Sequence, residues 1–214
     1  MALKLHRIEP LFQSPLAVFE IEDCEPLNAR LLQEISERRA KEPSLKRSNR
    51  LGWHSEADFF RRTEPAHREL ARHMQEMVSA ATLRMAPKAN FEELEFVCDG
   101  WINVNSASAY NTPHDHVGAL WSGCYYVAVP GPGPENPDGG AIEFLSPNPS
   151  SPFVGLLPSS MTFDKVKVQP TAGKALLFPG ALRHWVHPQG NGDDRVTIAF
   201  NAVLRKRAAA PRRS

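Results

Sequence analysis

The chain has 214 residues, with 25 lysines and arginines against 24 acidic residues, for a formal net charge of +1. So even a balance gives no field that would collect nucleic acid or an anionic membrane, and the length needs no second domain to bury its core. No apolar run reaches the roughly 18 residues of a membrane span, and His6, Arg7 and Glu9 interrupt the start before it could form a signal-peptide core, so a soluble cytoplasmic protein is expected.

Cys24, Cys98 and Cys124 are odd in number, far apart and without CxxC spacing, which suits a reducing compartment and excludes a zinc ribbon. In chain order, the first predicted element is a helix over Pro26–Lys41, where Leu27, Leu31, Leu32 and Ile35 recur at helical spacing. In SNRLGWHSEADFF, Gly52 marks a turn and Ser55 is a suitable N-cap for a short helix, leaving Trp53 and His54 in the loop before it. A second helix is predicted over Glu64–Met85, with its stripe at Leu70, Met74, Met77, Val78 and Ala81.

After Asn90 the pattern changes to short β-like runs: ELEFVCDGWINVN, LWSGCYYVAV, GGAIEFL, MTFDKVKVQP, KALLFPG and RVTIAFNAVL. The turn-rich PGPGPENPDGG lies between two of them. Many short strands with no helical pattern between them predict an antiparallel sandwich or barrel. The expected organisation is one domain over 1–204, with 1–89 a mainly helical support and 90–204 the β core. Residues 205–214, RKRAAAPRRS, form a basic tail without aromatic residues and are expected to fray.

The stretch NTPHDHVGALWSGCYYV places His114 and His116 two residues apart. On an extended chain both imidazoles share a face and Asp115 points away, an arrangement suited to one metal ion. A mononuclear site needs a further ligand from a distant element. His184 and His187 in FPGALRHWVHP are the candidates; three apart on a strand, they face opposite ways, so only one can join. In the last run Arg195, Thr197, Ala199 and Asn201 share a face with one long cation and otherwise small or polar groups. Such a face fits a pocket for a carboxylate, which guanidinium meets with a planar fork.

These motifs, HxH, then HWVHP from His184, then the arginine of DRVTIAFN, resemble those of the iron(II)- and 2-oxoglutarate-dependent dioxygenases. More closely, GWHSEADFF, NTPHDHVGALWSGCYYV, GGAIEFLSP and ALLFPGALRHWVHP are similar to a bacterial and phage family of 2-oxoglutarate/iron(II) oxygenases, over roughly Leu51 to Leu204. The resemblance implies a mostly β fold with N-terminal helices (α+β), its core a cupin-like double-stranded β-helix, or jelly roll, packed on those helices. It implies Fe(II), 2-oxoglutarate and O2 as cofactor and cosubstrates. The analogy spans amino acids, peptides, lipids and nucleic-acid bases; a small molecule or amino-acid derivative is the default substrate, and the even charge gives no reason to expect a nucleic-acid or membrane partner.

Residue by residue, the resemblance makes His184 the distal iron ligand beside His114 and His116. Arg195 matches the partner of the far carboxylate of 2-oxoglutarate, Ser122 a hydroxyl beside that carboxylate, and Asn103 a further hydrogen-bonding group. The usual triad has a carboxylate two residues after the first histidine; here His116 stands there. Three histidines, a shifted register using Asp115, and Glu143 as an outside carboxylate are the alternatives, and strand geometry disfavours Asp115. A cupin-type metalloprotein without 2-oxoglutarate, which would have no use for Arg195, and a metal-free jelly-roll binding protein are the rival readings. Trp185 and PGPGPENPDGG are candidate covers for the site's opening.

Overall fold

In the computed structural model, which describes residues 3–7, 9, 12–88, 90–131, 133, 136–148, 163–190 and 192–207, two helices precede most of the strands. Strand β1 (Ala17–Glu20) leads into helix α1 (Glu25–Lys41), which has Pro26 in its first turn, where no intrahelical N–H is needed. Its buried face is Leu27, Asn28, Leu31, Ile35 and Arg38; the predicted Leu32 is turned out to solvent at the edge of the stripe. Two polar residues stand on that face because each finds a polar partner there. Asn28 accepts from the Tyr125 hydroxyl (2.8 Å), and Arg38 pairs with Glu42 (2.7 Å) and Asp58 (2.8 Å).

Short strands β2 (Asn49–Arg50) and β3 (Trp53–His54) follow, and then helix α2 (Pro65–Met85) buries the whole predicted stripe together with Ala66, His67 and Thr82. Ser55 does not cap a helix. Its backbone N–H donates to Ile102 O (3.0 Å) and its hydroxyl accepts from Ile102 N–H (3.0 Å), because the edge of a neighbouring strand offers unpaired backbone groups that the local turn does not. Only a three-residue 3₁₀ turn, Phe59–Arg61, forms downstream.

The remaining strands are β4 (Leu94–Asn105), β5 (Tyr110–His114), β6 (Trp121–Ala128), β7 (Ile142–Leu145), β8 (Lys165–Val168), β9 (Lys174–Pro179), β10 (His184–Val186) and β11 (Arg195–Lys206). The six longer predicted runs are β4, β6, β7, β8, β9 and β11; Met161 and Thr162, at the head of the run ending in β8, lie outside the described residues, as do 208–214 of the basic tail. Two antiparallel sheets result, one ordered β1-β9-β6-β11-β4-β3 and the other β2-β5-β10-β7-β8. This is a mostly β double-stranded β-helix with its helices on one outer face. None of the described helices is long and apolar enough to cross a membrane.

Strand alternation gives the larger sheet two apolar environments. Its outer face, with Ile102, Val104, Trp121, Tyr125, Leu177, Ile198 and Phe200, packs on Leu31, Leu70, Met74 and Val78 of the helices. The Trp121 indole donates to Thr82 Oγ1 of α2 (2.8 Å), fixing the helix to the sheet. The inner face meets the smaller sheet through Tyr126, Leu176, Phe178, Ile142, Phe144 and Val186. Gly123 sits where a Cβ would come within 2.6 Å of Leu176 O and 2.8 Å of the Phe200 ring, so glycine lets that ring fill the core. Phe200→Ala would empty this fully buried position, with an expected loss of roughly 3–5 kcal/mol in chemical denaturation.

Candidate metal centre

The site is assembled by one short antiparallel pair. In the register of β5 and β10, His114 lies directly opposite His184, so two histidines 70 positions apart become cross-strand neighbours, with ring centroids 4.5 Å apart. His116 lies just beyond the end of β5, where its backbone N–H donates to Gly180 O (2.7 Å). That bond turns the chain inward and sets the His116 ring 4.9 Å from His114 and 5.4 Å from His184. One ligand atom from each residue lies within 4.8 Å of the others, and among the described residues this is the group able to hold a metal ion.

Hydrogen bonding fixes two of the rings. The Nδ1–H of His114 donates to Thr112 O (2.7 Å) and that of His184 to Leu182 O (2.9 Å). A carbonyl only accepts, so both rings carry their proton on Nδ1 and keep the Nε2 lone pair for an ion. Burial pushes the pKa of all three down, His184 to about 3 and His116 to about 4, with His114 adding to the depression at both and His116 adding to that of His184. The rings therefore stay neutral, as ligands must.

A depressed histidine pKa means that the unfolded chain binds more protons between the folded value and about 6.5, so stability is complete above about 6.5 and is lost as pH falls. The apo protein's thermal midpoint is therefore expected to drop as pH falls from about 6.5 toward 4, while divalent metal affinity changes little between about pH 7 and 6, where few protons must leave. Thermal melts and metal titrations across that range check both.

His187 and Glu143 are not in the group. The Glu143 carboxylate accepts from Trp185 Nε1 (3.0 Å) and His187 Nε2 (3.2 Å) and lies 3.8 Å from Lys165. Burial works to raise its pKa, but those hydrogen bonds outweigh it, and the carboxyl titrates below its ordinary value. Trp185 is thus turned away with Glu143, its ring 4.0 Å from His187, and does not cover the opening. Asp115 is exposed and outside the group as well. Pro132, Pro134 and Glu135 of PGPGPENPDGG lie outside the described residues; Asn136 of that loop donates to Pro188 O (3.0 Å).

The same cavity is lined by His114, His116, His184, Asn103, Ser122 and Arg195. Arg195, at the start of β11, is 2% exposed, forms no ion pair among the described residues, and leaves Nε buried without a hydrogen bond. Its guanidinium lies 5.2 Å over the Tyr126 ring, and Gly140 (φ +72°) makes room, since a Cβ there would come 3.0 Å from Arg195 Cδ. Asn103 is buried with an unpaired Oδ1. A buried cation with polar groups in want of partners is costly unless an anion enters, so the cavity fits a carboxylate-bearing group beside the imidazoles.

Ser122 faces the cavity, but its hydroxyl donates to Asn201 Oδ1 (3.1 Å), opposite it in the ladder and six residues along β11 from Arg195. The hydroxyl placed beside Arg195 is that of Tyr126, which sequence reasoning missed. It is shut from solvent next to Cys124 and Arg195 without a hydrogen bond of proper geometry, and burial raises its pKa. Its signal was the alternation Ser122, Cys124, Tyr126 on one face of β6.

Residues 99–201 match the family described as "Putative 2OG-Fe(II) oxygenase". No curated protein matches the sequence. Solved structures with a similar fold include a prolyl-4-hydroxylase from Pseudomonas putida, 16% identical, with a TM-score of 0.61, covering 92% of this chain and 96% of that one. The epimerase SnoN, crystallised with Fe3+, alpha ketoglutarate and nogalamycin RO, is 14% identical with a TM-score of 0.63, covering 94% and 87%. HygX from Streptomyces hygroscopicus, with nickel and 2-oxoglutarate bound, is 11% identical with a TM-score of 0.61, covering 89% and 83%. The matched segment runs from inside β4 to inside β11 and includes all three clustered histidines and Arg195, so the resemblance to the 2OG-Fe(II) oxygenases falls on the part of the chain that builds the site.

Proposed function

We propose that the protein is an iron(II)- and 2-oxoglutarate-dependent dioxygenase that hydroxylates a small molecule or amino-acid derivative in the cytoplasm. The observation that carries this reading is one cavity holding three neutral imidazoles and, on a facing strand, a buried arginine with no anionic partner among the described residues. His114, His116 and His184 would hold the iron, which together with 2-oxoglutarate supplies the activation of dioxygen. Arg195 would bind the far carboxylate of the 2-oxo acid as a planar fork, with the Tyr126 hydroxyl donating to the same group. Asn103, opposite Thr197 in the ladder, offers an amide to the cosubstrate, and Ser122 a second hydroxyl farther along the wall. Ile142, Phe178 and Val186 give the cavity its apolar lining, which helps keep the reacting atoms from bulk water.

The resident groups disfavour a cupin-type site. Glu143, the carboxylate such a site would use, is committed to Trp185 and His187, and a buried arginine would have no role. The free thiols Cys24, Cys98 and Cys124 accord with a reducing compartment. The test is a substrate panel of amino-acid derivatives and other small molecules with iron(II), 2-oxoglutarate and O2. Succinate release above the uncoupled background, with one product heavier by one oxygen atom, supports the reading. Iron binding without any 2-oxoglutarate turnover across the panel and in its absence would count against it.

A further inference from the structure

His114 and His184 are each held by a backbone carbonyl on Nδ1, whereas the His116 ring has no hydrogen bond among the described residues. Its backbone is fixed, the N–H donating to Gly180 O (2.7 Å) and the C=O accepting from Ala119 N–H (3.1 Å), so it is the ring alone that lacks a hydrogen-bonded anchor. Beside the two other imidazoles, the ring that packs against it is Trp101 of β4. The Trp101 ring lies 5.6 Å from that of His116, tilted by 44°, on the wall of the cavity. Trp101 is itself backed by His54, whose ring stacks on it nearly parallel, at 5.8 Å and 12°.

His54 is fixed three ways. β3 pairs it with Asn103, its backbone N–H donates to Ser44 Oγ (3.1 Å), and its Nδ1–H donates to Ser55 O (2.7 Å). Ala199, opposite Trp101 on β11, is small enough to leave the indole its space. The GWHS segment thus ends in a column running His54, Trp101, His116, from a rigid sheet edge to the least anchored imidazole.

We propose that Trp101, backed by His54, is the positioning residue for His116, doing by ring packing what the carbonyls of Thr112 and Leu182 do by hydrogen bonding for the other two rings. The inference rests on the three-imidazole reading of the site. A ring held on one face can still pivot about its Cα–Cβ axis when the packing is lost, which lowers the share of molecules with all three lone pairs converging.

The probe is Co(II) added to the full-length protein under anaerobic conditions, read by the visible ligand-field spectrum and by competition with a chelator of known affinity. Trp101→Leu is expected to weaken Co(II) binding about tenfold and to shift the visible bands, the scale on which groups orienting a ligand act. Trp101→Phe should stay close to wild type, and the thermal midpoints of the metal-free proteins should agree within a few degrees. An unchanged affinity and spectrum in Trp101→Leu overturns the proposal, as does a lowered affinity with an unchanged spectrum.

Should the leucine variant fail to fold, the wild-type protein decides. Its Co(II) complex should show two paramagnetically shifted imidazole N–H resonances that exchange slowly with solvent and one that exchanges fast. Three slow resonances would mean that His116 has a hydrogen-bonded anchor and that the column is not its support. Absence of Co(II) binding in wild type would instead overturn the three-imidazole reading itself, and the inference with it.

Discussion

Arg195→Ala is expected to leave iron(II) binding intact while abolishing the visible charge-transfer band that 2-oxoglutarate would give with the iron-loaded protein under anaerobic conditions. The guanidinium lies 2% exposed at the start of β11, over Tyr126, with its Nε unpaired. Removing one member of a buried charge pair costs about 2–5 kcal/mol, so 2-oxoglutarate affinity should fall roughly 30- to 5,000-fold. The metal-free variant should be no less stable than wild type, because an unpartnered buried cation is lost. That opposite sign separates a ligand-binding arginine from one that holds the fold. A structural arginine would lower the thermal midpoint when removed, and a surface arginine would change neither quantity.

His184→Ala should reduce iron(II) affinity by more than about 100-fold, beyond the 10- to 100-fold that loss of a mere orienting group produces. His187→Ala should leave it unchanged, since His187 faces Glu143 on the other side of β10. The pair is a control on register. The two histidines differ by three positions and so face opposite ways, and a one-residue slip of β10 would turn His184 out and His187 in. The His184 ring also packs near Phe144 and Phe178, so the alanine variant's unfolding midpoint must be measured alongside. Equilibrium dialysis with iron(II) under anaerobic conditions reads both variants.

Most of the larger sheet was legible because its strands are long and alternate. In β11, Val196, Ile198, Phe200 and Ala202 go to the helices, while Arg195, Thr197 and Ala199 line the cavity. Both helices were legible from apolar spacing, apart from Leu32, since nothing local says whether a stripe ends at Ile35 or takes in a neighbour. Of the short strands, β7 and β8 were legible and β1, β2, β3, β5 and β10 were not: β2, β3 and β10 hold only two or three residues, too few for a period to show, and β5 contains Pro113; each of the five exists because a partner's edge accepts its backbone.

The candidate site was readable in its residue types and less so in their arrangement. HxH marks two rings on one side, but the His114–His184 pairing is set by tertiary register that no local pattern encodes. The same cause misplaces Ser122. Its spacing from Tyr126 is visible in the sequence, but which of the two lies beside Arg195 depends on how β6 slides along β11. His54, read as a loop residue, gains its place only through the pairing of β3 with β4.

The most direct measurement is anomalous scattering at the iron edge from anaerobic crystals of the protein loaded with iron(II) and 2-oxoglutarate. One peak bonded to His114, His116 and His184, with the far carboxylate of 2-oxoglutarate on Arg195, is the predicted result. A peak on Glu143 and His187, or the three imidazoles left without iron in reconstituted protein, would contradict it.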